Sequence, residues 1–220
     1  MKQPLILIDI DNTLFDSGTF RQKLFTHLSK RIQKFGVKIT PEICQEIYNS
    51  HIQKYGLFVP DEFINALLEN KGKKEGVLEI IEGALFDTKF MKSHFYQETF
   101  QVLEKLSAIG TLGIFSQGNT KFQNAKIKSI KHFFHKEHIH IVENKKNIFE
   151  KIISKYDAEK VYLIDDFLSI LFSVKKRFPN VTVIWMKRGR YAAKQEPIRG
   201  FIPDATVTNL QDALPLIKEK

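Results

Sequence analysis

Leu5-Ile6-Leu7-Ile8-Asp9-Ile10-Asp11-Asn12-Thr13-Leu14-Phe15-Asp16-Ser17 sets a short apolar run directly against two carboxylates spaced two residues apart. An uninterrupted run of this kind suits a strand covered on both faces, as in a parallel sheet. Successive strand side chains alternate, so Asp9 and Asp11 point the same way, roughly 6 to 7 Å apart along the chain. In open parallel sheets ligands bind beyond the carboxyl ends of strands, which is where such a pair stands. Taken alone, Asp-x-Asp-Asn-Thr also suits a turn leading into a helix N-cap.

Outward from this stretch, apolar runs recur at Thr111 to Phe115, Val161 to Ile164 and Val181 to Trp185, with a weaker one at Ile139 to Val142. Between them Glu98 to Ile109, Lys121 to Ile130, Asn147 to Lys155 and Leu168 to Arg177 carry apolar residues at three- and four-residue spacing. Strand and helix alternate, which predicts a doubly wound α/β core with a parallel, Rossmann-like sheet and right-handed crossovers. About 80 residues after the first strand break the rhythm and read as amphipathic helices at Phe20 to Phe35, Pro41 to Lys54 and Asp61 to Glu69. Thr40-Pro41 and Pro60-Asp61 supply start signals, and Gly72-Lys73-Lys74-Glu75-Gly76 reads as a loop with solvated lysines. The expected organisation is a core of residues 1–15 and 96–220 with an inserted helical domain of residues 16–95.

Three further stretches place polar residues where those strands end. Leu112-Gly113-Ile114-Phe115-Ser116-Gln117-Gly118-Asn119 closes a strand on a hydroxyl; Lys145-Lys146 precedes a helix expected near Asn147; Val161-Tyr162-Leu163-Ile164-Asp165-Asp166 closes a strand on an acidic pair. Each has an ordinary explanation by itself: a turn serine, solvated lysines, capping acids. Together, in this order, the four stretches resemble the four signatures of the haloacid dehalogenase-like (HAD) hydrolases. Pro203-Asp204-Ala205-Thr206-Val207-Thr208-Asn209-Leu210 resembles that family's C-terminal ending as well. The proline that usually follows the third-signature lysine is missing, so Lys145 is preferred over Lys146 with both left open.

The resemblance implies a magnesium-dependent hydrolase of phosphomonoesters, acting through an aspartyl-phosphate formed on Asp9. Asp11 would protonate the departing alcohol and later take a proton from water. Thr13, Ser116, Gln117 and Lys145 would hold phosphoryl oxygens. Mg2+ would be bound by Asp9, the carbonyl of Asp11, and Asp166 with or without Asp165. The helical domain would act as a cap that closes over the site and selects a small phosphorylated substrate. Charge accounting agrees, since a phosphate dianion beside three carboxylates needs cations to hold it. Within the same family a phosphomutase keeps all four signatures. A dehalogenase lacks the second acid that Asp11 supplies. Outside catalysis, a noncatalytic anion-binding module that kept the fold is the alternative.

Composition bounds the rest. A chain of 220 residues with 43% hydrophobic and 27% charged residues is a folded protein rather than a disordered one. The single cysteine, Cys44, excludes an internal disulfide. No apolar run reaches the ~20 residues that span a bilayer, and none resembles a signal-peptide core, so a cytoplasmic, membrane-free protein is expected. The net charge of +9 favours anionic partners, but its lysines are dispersed, and nucleic acid is not the expected partner. Removal of terminal phosphates from nucleic acid would betray itself by salt-dependent binding. His132, His135, His138 and His140 crowd one stretch without a cysteine and are not expected to bind zinc. Arg188-Gly189-Arg190 reads as a basic turn. Natural substrate and oligomeric state are not legible.

Overall fold

The computed structural model describes residues 3–69, 76–146, 148–192 and 194–217. Of the loop expected at 72–76 all but Gly76, and the helix start expected at Asn147, lie outside the described residues. In chain order the elements are β1 (Leu5–Ile8), α1 (Ser17–Gln33), α2 (Pro41–Tyr55), α3 (Pro60–Glu69), α4 (Val77–Leu85), α5 (Thr88–Lys92), α6 (Thr99–Ile109), β2 (Thr111–Gln117), α7 (Thr120–Lys126), β3 (Ile139–Val142), α8 (Phe149–Ile153), β4 (Val161–Asp165), α9 (Leu168–Arg177), β5 (Thr182–Met186), α10 (Gly189–Ala192) and β6 (Ala205–Val207). The chain divides into one compact unit of residues 1–16, 95–117 and 129–220, and a second of residues 17–94 and 118–128.

In the first unit six parallel strands lie in the order β3-β2-β1-β4-β5-β6. That order reverses direction at β1, whose neighbours are β2 on one side and β4 on the other, and such a switch point opens a crevice at the strands' carboxyl ends. The doubly wound core expected from strand and helix alternation is therefore present. β1 is wholly buried, as its unbroken apolar run requires. Leu5 and Leu7 join Leu163, Phe115, Phe149, Leu171 and Val174 in one cluster under α8 and α9. Ile6 and Ile8 point to the other face by the two-residue period, where the C-cap of α6 at Gly110 approaches Ile6. β2 and β4 run two and one residues past their expected ends, β5 is shifted by one residue to Thr182–Met186, and Ala205–Val207, inside the stretch read as a C-terminal ending, forms an edge strand beside β5.

The second unit is helical. Phe25, Phe58 and Phe63 pack ring against ring, with Phe122 of α7 against Phe58 at 4.9 Å. α2 starts on Thr40, whose hydroxyl accepts from the Ile43 amide, and ends on Gly56 at φ 73°, the left-handed conformation that a C-cap glycine supplies without strain. α4 and α5 escaped the sequence-based expectation because each is short and α5 spans barely more than one turn. Cys44 is fully buried on α2, and that burial pushes its thiol up to about 12, which leaves it an inert packing group. No helix among the described residues is long and apolar enough to cross a membrane.

β3 is an edge strand, and the histidine-rich stretch lies on it and just before it. His140 meets the Tyr156 hydroxyl at 2.7 Å. Among the described residues the one group spaced to hold a metal contains no histidine. Burial, then Lys155 and His138, push the His140 pKa down to about 4. A histidine held neutral in the fold and free to protonate near pH 6.5 when unfolded stabilises fully above that value, and the contribution is lost as pH falls toward 4. His140 is half-buried, so solvent screening trims the effect. Between pH 7 and pH 5, wild type should lose about 1 kcal/mol more unfolding free energy than His140→Gln, measured by denaturant titration; parallel pH profiles would refute this.

Candidate active site

Parallel pairing of β1 with β4 puts Ile8 beside Ile164, and the Asp9 amide donates to the Ile164 carbonyl at 3.0 Å. The residues following each strand therefore emerge at the same level of the switch point. Asp9 comes from one strand end, Asp165 and Asp166 from the other, and all three are buried with carboxylate oxygens within 4.8 Å of one another. Lys145, on the connection between β3 and α8, reaches into this cluster across the face of Phe115. Its Nζ lies 2.6 Å from Asp9 Oδ1 and 2.7 Å from Asp165 Oδ2. Its backbone amide donates to Gln117 Oε1 at 3.3 Å, which ties the lysine loop to the end of β2. Lys146 is exposed, and of the two lysines Lys145 is the one that meets the carboxylates.

The electrostatics follow from burial. Desolvation raises the pKa of Asp9, Lys145 opposes the rise, and Asp165 and Asp11 add to it. Desolvation likewise raises Asp166, reinforced by Asp9 and Asp165 and opposed by the Asn12 amide and Lys145. Burial disfavours the Lys145 charge, yet Asp165 and Asp9 more than compensate, and its pKa lies above the ordinary lysine value. Three carboxylates face one ammonium, so the fully ionised cluster carries an excess of two negative charges. The donor set is oxygen only, as hard divalent cations prefer. A magnesium ion fits both the charge and the ligand type.

The two acids at the end of β4, Asp165 within the strand and Asp166 just after it, are not equivalent. Asp165 has both oxygens engaged: Oδ1 accepts from the Phe167 amide at 2.8 Å and Oδ2 from Lys145. Asp166 Oδ2 accepts from Asn12 Nδ2 at 2.9 Å, while its carbonyl is held by Trp185 Nε1 at 3.1 Å and Gln195 Nε2 at 2.7 Å. Asp165 is a strut for the lysine, and Asp166 is fixed through its backbone with its carboxylate turned toward Asn12.

The loop after β1 winds around one acceptor, the Ile10 carbonyl, which receives the amides of Thr13, Leu14 and Phe15 at 3.3, 2.9 and 2.9 Å. Asn12 adopts φ 57°, a left-handed conformation that asparagine tolerates better than most residues. Asp11 is half-buried at the start of this turn. Thr13 is fully buried, and its hydroxyl makes no hydrogen bond among the described residues. Ser116 is buried near the end of β2, and Gln117 follows it, exposed. The structure thus gathers Asp9, Lys145, Asp165 and Asp166 into one direct cluster, with Gln117 joined through the Lys145 backbone. Asn12, Trp185 and Gln195 belong to the same network but were not singled out from the sequence. Only Asn12, flanked by the acidic pair, left a trace there; the other two are brought in by the sheet.

No protein-family model and no curated protein matches the sequence. Solved structures do match over nearly the whole chain. They include a protein assigned to the haloacid dehalogenase-like hydrolases from Burkholderia xenovorans LB400 (TM-score 0.77, 23% identity, 98% of this chain and 97% of that one). They also include the magnesium-bound HAD-hydrolase YfnB from Bacillus subtilis (TM-score 0.64, 15% identity, 99% of each chain). A 2-haloacid dehalogenase from Pseudomonas syringae pv. tomato DC3000 matches at TM-score 0.65 and 15% identity, over 99% and 98%. The fold is that of the HAD-like superfamily, as the four sequence signatures anticipated.

Removing one partner of a buried ion pair costs about 3 to 5 kcal/mol. In metal-free buffer at neutral pH, Lys145→Ala should therefore lower unfolding free energy by about that amount, whereas exposed Lys146→Ala should change it by no more than about 0.5 kcal/mol. Equal effects of the two substitutions would contradict the assignment of Lys145.

Proposed function

We propose that this protein is a magnesium-dependent phosphomonoester hydrolase acting through an aspartyl-phosphate on Asp9. The observation that carries the proposal is the buried cluster of Asp9, Asp165 and Asp166 bridged by Lys145, with Asp11 two residues beyond Asp9. Asp9 and Asp166 would hold the ion, because each keeps an oxygen outside the contacts made by Lys145 and Asn12. A bound magnesium would neutralise the excess negative charge and orient the phosphate. The magnesium bound by YfnB, a protein of the same fold, lends support.

Asp9 Oδ attacks phosphorus in line with the departing ester oxygen; the new bond is Asp9 to phosphorus and the broken bond is phosphorus to alcohol oxygen. Lys145 holds Asp9 by Oδ1 and carries positive charge toward the phosphoryl group. Asp11 gives its proton to the leaving alkoxide, then takes one from the water that hydrolyses the acyl phosphate. Ser116 and Gln117, ending β2, and Thr13, in the turn after β1, are the proposed contacts for phosphoryl oxygens. The helical unit is proposed as the cap and the substrate as a small phosphorylated metabolite.

Dehalogenation is the second reading, because several proteins of this fold are dehalogenases. A halide leaves without needing a proton, whereas an alkoxide needs one, so Asp11 has a task in the first reaction and none in the second. A panel of small phosphomonoesters and 2-haloacids separates them. Phosphate release that requires magnesium, disappears in Asp9→Asn and falls about 10² to 10⁴-fold in Asp11→Asn is expected. Halide release without metal, unaffected by Asp11→Asn, would overturn the phosphatase assignment. Within the acidic pair, Asp166→Asn should weaken magnesium binding more than Asp165→Asn.

A further inference from the structure

Arg188 follows β5, where the sequence suggests a basic turn, yet its guanidinium points inward and every nitrogen is engaged. Nε donates to the Asn12 carbonyl at 3.2 Å, and the two terminal nitrogens donate to the Thr13 carbonyl and to Glu98 Oε1. Glu98 Oε1 also accepts from the Leu210 amide at 3.2 Å. The face of the guanidinium lies on the Tyr96 ring, with Cζ 3.6 Å from its centroid. The ion pair is nearly buried, with side-chain exposures of 9% and 12%. One planar fork thus joins β5, the turn before α6 and two consecutive carbonyls of the loop that carries Asp9 and Asp11. Lysine, a point charge on a flexible stem, cannot reproduce that geometry.

What the fork holds is the left-handed residue. Asn12 and Thr13 present adjacent carbonyls to Arg188 while the Asn12 side chain turns to Asp166 Oδ2. Gly189, at φ 73°, lets the backbone pass so close that a Cβ there would lie 3.1 Å from Asn12 Oδ1. The arginine and the glycine after it thereby confine Asn12 from two sides. Because the guanidinium is spent on protein acceptors, it is not a substrate-binding group.

We infer that Arg188, anchored by Glu98, is a positioning residue that fixes the Asp9 to Thr13 loop against Asp166 and so sets the carboxylate spacing on which divalent-cation binding depends. The inference rests on the magnesium site proposed above, and groups that orient metal ligands typically change affinity about 10- to 100-fold when removed.

Trp185 is the single tryptophan, and its indole bonds the Asp166 carbonyl, so its fluorescence reports the acidic loop directly. Magnesium titrations followed at Trp185, together with phosphate release, should be run on wild type, Arg188→Lys, Arg188→Ala and Asn12→Gly. Arg188→Lys keeps a charge opposite Glu98, so it should melt near wild type while needing about tenfold more magnesium for half-saturation. Its kcat should fall about tenfold or more with KM for the ester little changed. Millimolar guanidinium should restore part of the lost affinity in Arg188→Ala. Asn12→Gly, which retains the left-handed backbone, should show the same magnesium defect, and combining it with Arg188→Lys should add little, because both act through one contact. Folded variants that bind magnesium and turn over like wild type would sink this inference alone, leaving the phosphatase assignment intact. If wild type releases no phosphate but responds to magnesium, the titrations still decide it. A wild type blind to magnesium overturns both proposals.

Discussion

Lys145 stands between Asp9 and Asp165, and most of the site's geometry is a consequence of that bridge. A carboxylate at the end of a buried strand has lost its hydration, and a second one delivered by the neighbouring strand raises the cost further. The β1 and β4 register makes the second carboxylate unavoidable, because Ile8 and Ile164 are partners and the next residue on each strand is acidic. One ammonium hydrogen-bonded to both oxygens lowers the cost for two of the three acids. It acts on Asp166 only through space, and the hydrogen bond to that carboxylate comes from the neutral Asn12 amide. The uncompensated charge is therefore localised on the side of the cluster bounded by Asp166 and the free oxygen of Asp9, and a divalent cation is the species that would balance it.

The backbone around the site is arranged to keep those charges where they are. Asp165 is pinned by the Phe167 amide as well as by lysine, and Asp166 is held by its carbonyl through Trp185 and Gln195, leaving its carboxylate to be aimed by Asn12. Gln195 also accepts from the Leu168 amide at 2.7 Å, so one side chain ties the acidic loop to the start of α9. On the opposite side, the Ile10 carbonyl gathers three amides into a tight turn and Thr99 Oγ1 donates to the Leu14 carbonyl at 3.0 Å. The amides of Asn12 to Phe15 and the carbonyls of Ile10 and Asn12 to Phe15 are thus given partners, as burial demands.

Local pattern carried the fold far. The apolar runs read at Leu5 to Ile8, Val161 to Ile164 and Val181 to Trp185 correspond to covered strands, and each of the first two is followed by acids that the sheet then brings together. A preference for Lys145 over Lys146 was legible but could not be settled, since it turns on which side chain reaches the Asp9 and Asp165 carboxylates and not on residue type. Nor was the fork of Arg188, whose partners Asn12, Thr13 and Glu98 lie 176, 175 and 90 residues away. Pairings at such separation leave no periodic signature. The grouping of residues 118–128 with the helical unit is of the same kind: nothing in Thr120–Lys126 distinguishes it from a helix packed on the sheet, and its company is revealed by the edge-on contact of Phe122 with Phe58, its contacts with Phe20 and Phe86, and the Lys121–Asp61 ion pair.

Charge and leaving group together narrow the chemistry that this fold can host. Displacement of halide from a haloacid brings one negative charge on the substrate carboxylate, creates an anion that departs unaided, and gains nothing from a second acid beside the nucleophile. Transfer of a phosphoryl group brings up to two negative charges, demands cationic compensation throughout, and ends on an alkoxide that must be protonated. On the proposed reading, a buried cluster with one lysine and an excess of carboxylates, with Asp11 half-buried beside it, would meet each demand of the second reaction. In the first, that same excess of carboxylates would repel the substrate and stand uncompensated, at a cost in stability that halide displacement gives no reason to bear.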